Sequence, residues 1–314
     1  MKSNVVKVTS MNLTRRVRAF LLCATACALF LIATAPVAFA TPILGIELGT
    51  FAVLGAQSVT NTGPTTLTGN YGVSPGTSLG LVGVTLNGVV HQTNPFANTA
   101  QTQLGIALGL LGGLAPTGTV LGGVLNSLVL NQGIYAVSAA PGNGGFNLST
   151  NGVLTLNAQN MVNPFWVFNM SSTLITGSGS VVQFINAPAG FNPSLYWNVG
   201  SSATLGTTTS FQGNILALTS ISLNTGATIG CGSALAHTGG VTLQSNTISI
   251  GCNGPALSIQ TGSGGVPVVV GPSGTPVATP EPTTLVLLGI GIAGFVARWP
   301  RFKAGQQLDS APKA

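Results

Sequence analysis

A repeat restricts this chain more than any other feature. Leu205, Leu223 and Leu243 occupy the same point of three similar segments, 18 and 20 residues apart. Phe211, Ile229 and Ile248 keep the same register, as do Ala217 and Ala236. A period of roughly 19 residues is one turn of a solenoid whose sides are short strands. Alternation along a strand sends successive side chains to opposite faces. With Leu205, Leu223 and Leu243 inward, Thr204, Ser222 and Thr242 form an outward column. A second outward column is Ser210, Thr228 and Thr247, beside inward Phe211, Ile229 and Ile248. An earlier copy, containing Leu174 and Val181, is offset by an insertion around Asn186 to Asn192. The expected fold class is therefore mainly β.

One segment departs from the β pattern. Between residues 96 and 111, Ala97, Ala100, Leu104, Leu108 and Leu111 recur at helical spacing. Gly105 and Gly109 each cost about 1 kcal/mol relative to Ala in a helix, so this helix needs support from packing along the solenoid. Beyond Gly254, a Gly/Pro/Val-rich stretch (255–279) reads as a linker.

The formal charge of +6 suggests an anionic partner until the charges are located. All nine Lys and Arg residues lie before Ala19 or after Ala297, and between Thr41 and Thr279 the one charged side chain is Glu47. Phosphate recognition needs clustered Lys and Arg, so nucleic acid is excluded as a partner of the body. Residues 1–40 read as a signal peptide: Arg15, Arg16 and Arg18, an apolar run from Ala19 to Ala33, then Ala38-Phe39-Ala40 as a cleavage site. That apolar run is short of the roughly 20 residues a membrane span requires.

The far end (280–314) carries Pro280-Glu281-Pro282, an apolar segment over 285–296, and then Arg298, Arg301 and Lys303. This order resembles the PEP-CTERM sorting signal. The resemblance implies transient membrane insertion through the apolar segment, cleavage near Pro280–Pro282 by an exosortase-type enzyme, and release to the cell surface or extracellular matrix. A permanent anchor with its positive end inside is the alternative.

Two cysteines, Cys231 and Cys252, remain outside the leader, each preceded by Ile-Gly. Export favours a disulfide. The repeat register also brings the two about one turn apart, within the reach of a bridge. Two buried free thiols are the alternative.

Catalytic groups are scarce. Acid–base chemistry needs positioned titratable groups, and the body offers Glu47, His91, His237 and three tyrosines. Glycoside hydrolysis needs two carboxylates, neither histidine has an Asp to orient it as in a triad, and a zinc site lacks ligands. The body is read as non-enzymatic, with no metal and no cofactor.

Several ordered stretches resemble the microbial ice-binding proteins. These are Phe51-Ala52-Val53-Leu54-Gly55-Ala56, Val59-Thr60-Asn61-Thr62-Gly63-Pro64-Thr65 and Gly69-Asn70-Tyr71-Gly72-Val73-Ser74-Pro75-Gly76. Gly133-Ile134-Tyr135, the run from Trp197 to Ala217, and Leu223-Asn224-Thr225-Gly226-Ala227-Thr228 add to them. One departure is Asn157-Ala158-Gln159-Asn160, uncharged where family members carry Asp. The resemblance implies a discontinuous triangular β-solenoid over residues 41–254, with one α-helix packed alongside. It also implies adsorption to an ice crystal surface through one flat face. Thr62-Gly63-Pro64-Thr65 and Thr225-Gly226-Ala227-Thr228 fit a Thr-Gly/Ala-x-Thr/Asn motif that some members carry on that face. The expected contact residues are thus Thr62, Thr65, Thr225 and Thr228, with Ser210 and Thr247 beside them. Against this stands the reading that they are ordinary strand and turn threonines of good β propensity. A non-catalytic structural or adhesive surface protein, associated with exopolysaccharide, is the competing function.

Overall fold

The computed structural model describes residues 41–118, 121–137, 145–261 and 267–271. The expected signal peptide (1–40), the Pro280–Pro282 motif and the apolar segment 285–296 lie outside the described residues.

Three parallel sheets of eight, seven and eight short strands stack along one axis and enclose a core. Each coil contributes one strand to each face. The first face orders Gly133–Val137, Phe165–Met170, Ser194–Val199, Asn214–Ala217, Ala234–Ala236, Phe51–Gly55, Asn70–Val73 and Val90–Gln92. The chain is therefore discontinuous in space. Its first two coils and the strand that follows them, spanning residues 51–92, stack on the last coil it makes, 234–249, rather than on the next coil in sequence. A helix, α1 (Pro95–Gly112), then carries the chain back along the solenoid, and the remaining coils wind towards the first.

The inward columns are those that alternation predicts. Leu205 pairs with Leu223, and Phe211, Ile229 and Ile248 are successive partners, all fully buried. Larger rings fill the wider coils: Trp197 stacks on Phe168 at 4.2 Å and tilts against Phe211 at 5.0 Å. The Trp197 Nε1–H donates to Gln212 O at 2.8 Å, so the indole is buried without an orphaned donor.

The first face is apolar on both sides. Its outer residues Phe51, Leu54, Ile134, Val167, Tyr196, Leu216 and Leu235 form a second core with α1. This explains continuous apolar runs such as Phe165–Phe168, which strands covered on both faces require. On α1, Ala97, Ala100, Leu104, Ala107 and Leu111 are buried, and Asn94 caps the start by accepting from Ala97 N at 2.9 Å. Of the two glycines in the helix interior, Gly105 has a steric reason, since a Cβ there would meet the His237 ring at 3.0 Å. Gly109 has open space around it.

Within the stretch expected to be a linker, residues 255–261 and 267–271 are part of the folded body. Ser258–Thr261 pairs antiparallel with Pro267–Val270 and with Thr41–Pro42, while Leu257 and Val269 are buried in the α1 core. Its apolar residues find a surface on the helix, and its one internal proline sits at the first position of a strand, where a missing N–H is tolerated. Cys231 and Cys252 form a disulfide, with Cα atoms 5.4 Å apart. It ties the segment leaving the last coil to the coil above. Uncharged Asn157 serves its loop as an acceptor, taking Gln159 N at 3.0 Å and Asn186 Nδ2 at 2.8 Å.

Candidate functional site

With α1 covering the first face, two faces are free of the helix. Both carry outward hydroxyls and no charge. On the second face Thr204, Ser222, Thr242 and Thr60 are successive partners, and the Thr60 hydroxyl lies 3.4 Å from that of Thr242. The column ends at Ile175, which is 39% exposed.

The third face carries a longer array. Ser210 pairs with Thr228, Thr228 with Thr247, Thr247 with Thr66, and Thr66 with Thr85. Five hydroxyl residues thus stand in one outward column, at the roughly 4.8 Å spacing of stacked strands. Beside them Ser249, Thr68 and Asn87 form a parallel column two residues along the strands.

The corner leading into this face is the most regular part of the molecule. Asn151, Gly179, Thr208, Gly226, Ser245, Gly63 and Gly83 all adopt positive φ, between 52° and 76°. Glycine does this without steric cost, whereas Thr208 is β-branched and held there by its neighbours. A backbone ladder runs through the corner: Gly179 N donates to Thr207 O, Thr208 N to Thr225 O, Gly226 N to Gln244 O and Ser245 N to Thr62 O, at 2.9–3.1 Å. Thr207, Thr225, Gln244 and Thr62 therefore make a third column along the edge, its threonines exposed and Gln244 half-buried. The Thr225 hydroxyl donates to Gln244 Oε1 at 3.2 Å.

Five of the six expected contact residues come together on this surface: Ser210, Thr228 and Thr247 on the face, Thr62 and Thr225 along its edge. Thr65 does not. It is 1% exposed and points into the corner. Its hydroxyl donates to Asn61 Oδ1 at 2.7 Å and accepts from Asn246 N at 3.1 Å. The two Thr-Gly-x-Thr segments are out of step by one residue on entering the strand. Thr228 aligns with Thr247 and Thr66, while Thr65 takes the inward position that Ala227 holds. Aligning the segments on their inward apolar residues, Ile229, Ile248 and Leu67, instead of on the motif identifies Thr66 and Thr85 as the outward partners.

Behind the corner lies a buried polar column: Thr176, Ser180, Thr209, Asn246 and Thr65. Asn246 Nδ2 donates to Asn224 O and Ala227 O, both at 2.9 Å, and its Oδ1 accepts from Gln244 N at 2.5 Å. Thr209 shares hydroxyl bonds with Thr176 at 2.9 Å and Ser180 at 3.1 Å. These side chains satisfy the turn backbone from inside, as buried polar groups must be satisfied, and they fix the exposed hydroxyls outside.

The titratable groups of the body stand away from this surface. Glu47 accepts from Gln103 Nε2 beside α1. His91 stacks on Phe96 at 4.5 Å, and burial lowers its pKa against a smaller raising effect of its bond with Asn94. Among the described residues no three His, Cys, Asp or Glu side chains are grouped as metal ligands.

The family described as ice-binding-like matches residues 53–249, and a PEP-CTERM protein-sorting motif matches residues 278–301. The chain is 41% identical over 203 residues to an ice-binding protein of Nostoc sp. (strain HG1), covering 64% of this chain and 72% of that one. It is 32% identical over 219 residues to an ice-binding protein of Colwellia sp., covering 65% and 81%. The crystal structure of an ice-binding protein from an Antarctic biological consortium superposes with a TM-score of 0.59 at 36% identity, covering 67% of this chain and 91% of that one. The matched residues hold nearly the whole solenoid, both helix-free faces and the corner between them, and the chain belongs to the ice-binding-like family.

Proposed function

We infer that the solenoid adsorbs to ice through its third face and the adjoining corner. The observation that carries this reading is the unbroken column Ser210–Thr228–Thr247–Thr66–Thr85 on an uncharged, helix-free face. Ice offers an ordered lattice of water and no counter-charge. A charged side chain would hold its own hydration shell against that lattice. Threonine presents one methyl, which water leaves readily, and one hydroxyl, which positions a water in the pattern of its neighbours. Stacking supplies the repeat, and the packed interior with the bonded corner keeps it rigid. The action is adsorption, without catalysis and without nucleic acid as a partner. The sorting motif supports export to the cell surface. Transient anchoring through residues 285–296, followed by cleavage near Pro280–Pro282 by an exosortase-type enzyme, accounts for that motif's order.

The test is ice recrystallisation with protein expressed from the full-length gene and purified after export. A Thr66→Tyr, Thr228→Tyr variant is compared with Thr242→Tyr on the second face. Wild type and Thr242→Tyr are expected to arrest grain growth, and the folded double variant to lose arrest. Loss with Thr242→Tyr alone would move the contact to the second face. A folded wild type that leaves growth unchanged would end the ice reading and favour the structural or adhesive surface role.

A further inference from the structure

We propose that the solenoid end formed by residues 77–92 is a self-association surface, on which a second copy of this chain stacks through the same end. Ser78–Leu79, Val84–Asn87 and Val90–Gln92 are the terminal strands of the second, third and first faces. Among the described residues each is paired on one side only. An open strand edge presents free N–H and C=O groups, and proteins usually blunt it with Lys, Pro, a bulge or a covering segment. From Thr77 to Gln92 there is no Lys, Arg, Asp, Glu or Pro.

The core also surfaces here. Leu79, Val84 and Leu86 pack against the interior yet remain only partly buried, whereas Leu67 and Ile248 in the next two coils are fully buried. Around them Leu81 is 50% exposed, Val82 88%, Val89 57% and Val90 38%. Apolar exposure concentrated beside open backbone edges marks an interaction site.

Geometry selects the occupant. A single peptide strand can complete one edge and leaves two open, whereas another solenoid end carries three edges with the same spacing. The opposite end of a second copy is blunted. There residues 121–130 lie across the coil that opens with Gly133–Val137, making single bridges at Leu121 and Val124 and a two-residue strand, Val129–Leu130. The complementary surface is thus the same end of the second copy, an isologous contact that closes as a two-fold dimer and does not grow into a filament.

Sedimentation equilibrium on protein expressed from the full-length gene and purified after export tests this, beside a Leu81→Lys, Val89→Lys variant. Wild type is expected at twice the chain mass and the variant at the chain mass, with unchanged circular dichroism. A nitroxide on Val82→Cys is expected to report a shorter distance between copies than one on Val124→Cys at the other end. A wild type that stays monomeric at its highest soluble concentration overturns the proposal. So does a dimer that survives the lysines, or one in which the Val124 distance is the shorter.

Discussion

Replacing Thr65 by Val and, separately, Thr66 by Val exchanges a hydroxyl for a methyl at adjacent positions with opposite exposures. At Thr65 the hydroxyl donates to Asn61 Oδ1 at 2.7 Å and accepts from Asn246 N at 3.1 Å. Valine fills nearly the same space, so the cavity cost is small. The cost is the loss of partners. The Asn246 N–H is buried and finds no water, which costs about 1–3 kcal/mol. Asn61 is only partly buried, so solvent can replace its lost donor. The net destabilisation is therefore about 2 kcal/mol, which for a domain of this size lowers the melting temperature by roughly 4–8 °C. Thr66 has an exposed side chain, and its replacement should leave the melting temperature within about 1–2 °C. The assay pairs thermal unfolding by circular dichroism with ice recrystallisation near the freezing point, far below either transition. Thr65→Val is expected to melt early and still arrest ice growth. Thr66→Val is expected to melt normally and arrest it less well, and Thr65→Ser to restore the melting temperature. A Thr65→Val protein with an unchanged transition and lost ice activity would refute the inward assignment of Thr65 and the register built on it.

Other outcomes follow from the same geometry. Gly109→Ala should stabilise the protein by about 1 kcal/mol, because α1 gains helix propensity and the new methyl enters open space. Gly105→Ala should lack that gain, since its methyl would press on His237, and denaturant midpoints compare the two. Replacing both Cys231 and Cys252 by Ser should cost about 3 kcal/mol, from releasing a loop of 21 residues in the unfolded chain. Reductant should move the wild-type thermal transition, but not the double variant's, by a matching amount. His91 binds its proton less readily when folded than the usual value of 6.5 allows, chiefly through burial. The unfolded chain therefore takes up more protons below that pH. Stability should be full above about pH 6.5 and decline as pH falls below it. Titrating the melting temperature in wild type and His91→Gln should show that decline to be smaller in the variant.

The sequence by itself determined the features that depend on neighbouring residues. Alternation is local, so Phe211, Ile229 and Ile248 could be sent inward, and Ser210, Thr228 and Thr247 outward, from spacing alone. The helical run 96–111 is legible because its apolar residues recur every three or four positions. The near-total absence of charge between Thr41 and Thr279 is a fact of composition. The sorting signal is equally local, with its three elements in order.

Only the tertiary structure decided what depends on residues distant in the chain. The third-face column crosses a seam at which Thr66 meets Thr247, 181 positions away, and no local pattern states that register. A slip of one residue reverses which side chains face outward, and that slip separates Thr65 from Thr66. Only long-range bonds to Asn246 reveal which of the two is buried. Likewise residues 255–261 and 267–271 look like a linker because each strand of the pair is short and Gly/Pro-flanked. They fold because Leu257 and Val269 reach a helix face whose own residues lie more than 140 positions earlier. Burial against a distant partner is a property of the assembled chain, and propensity does not record it.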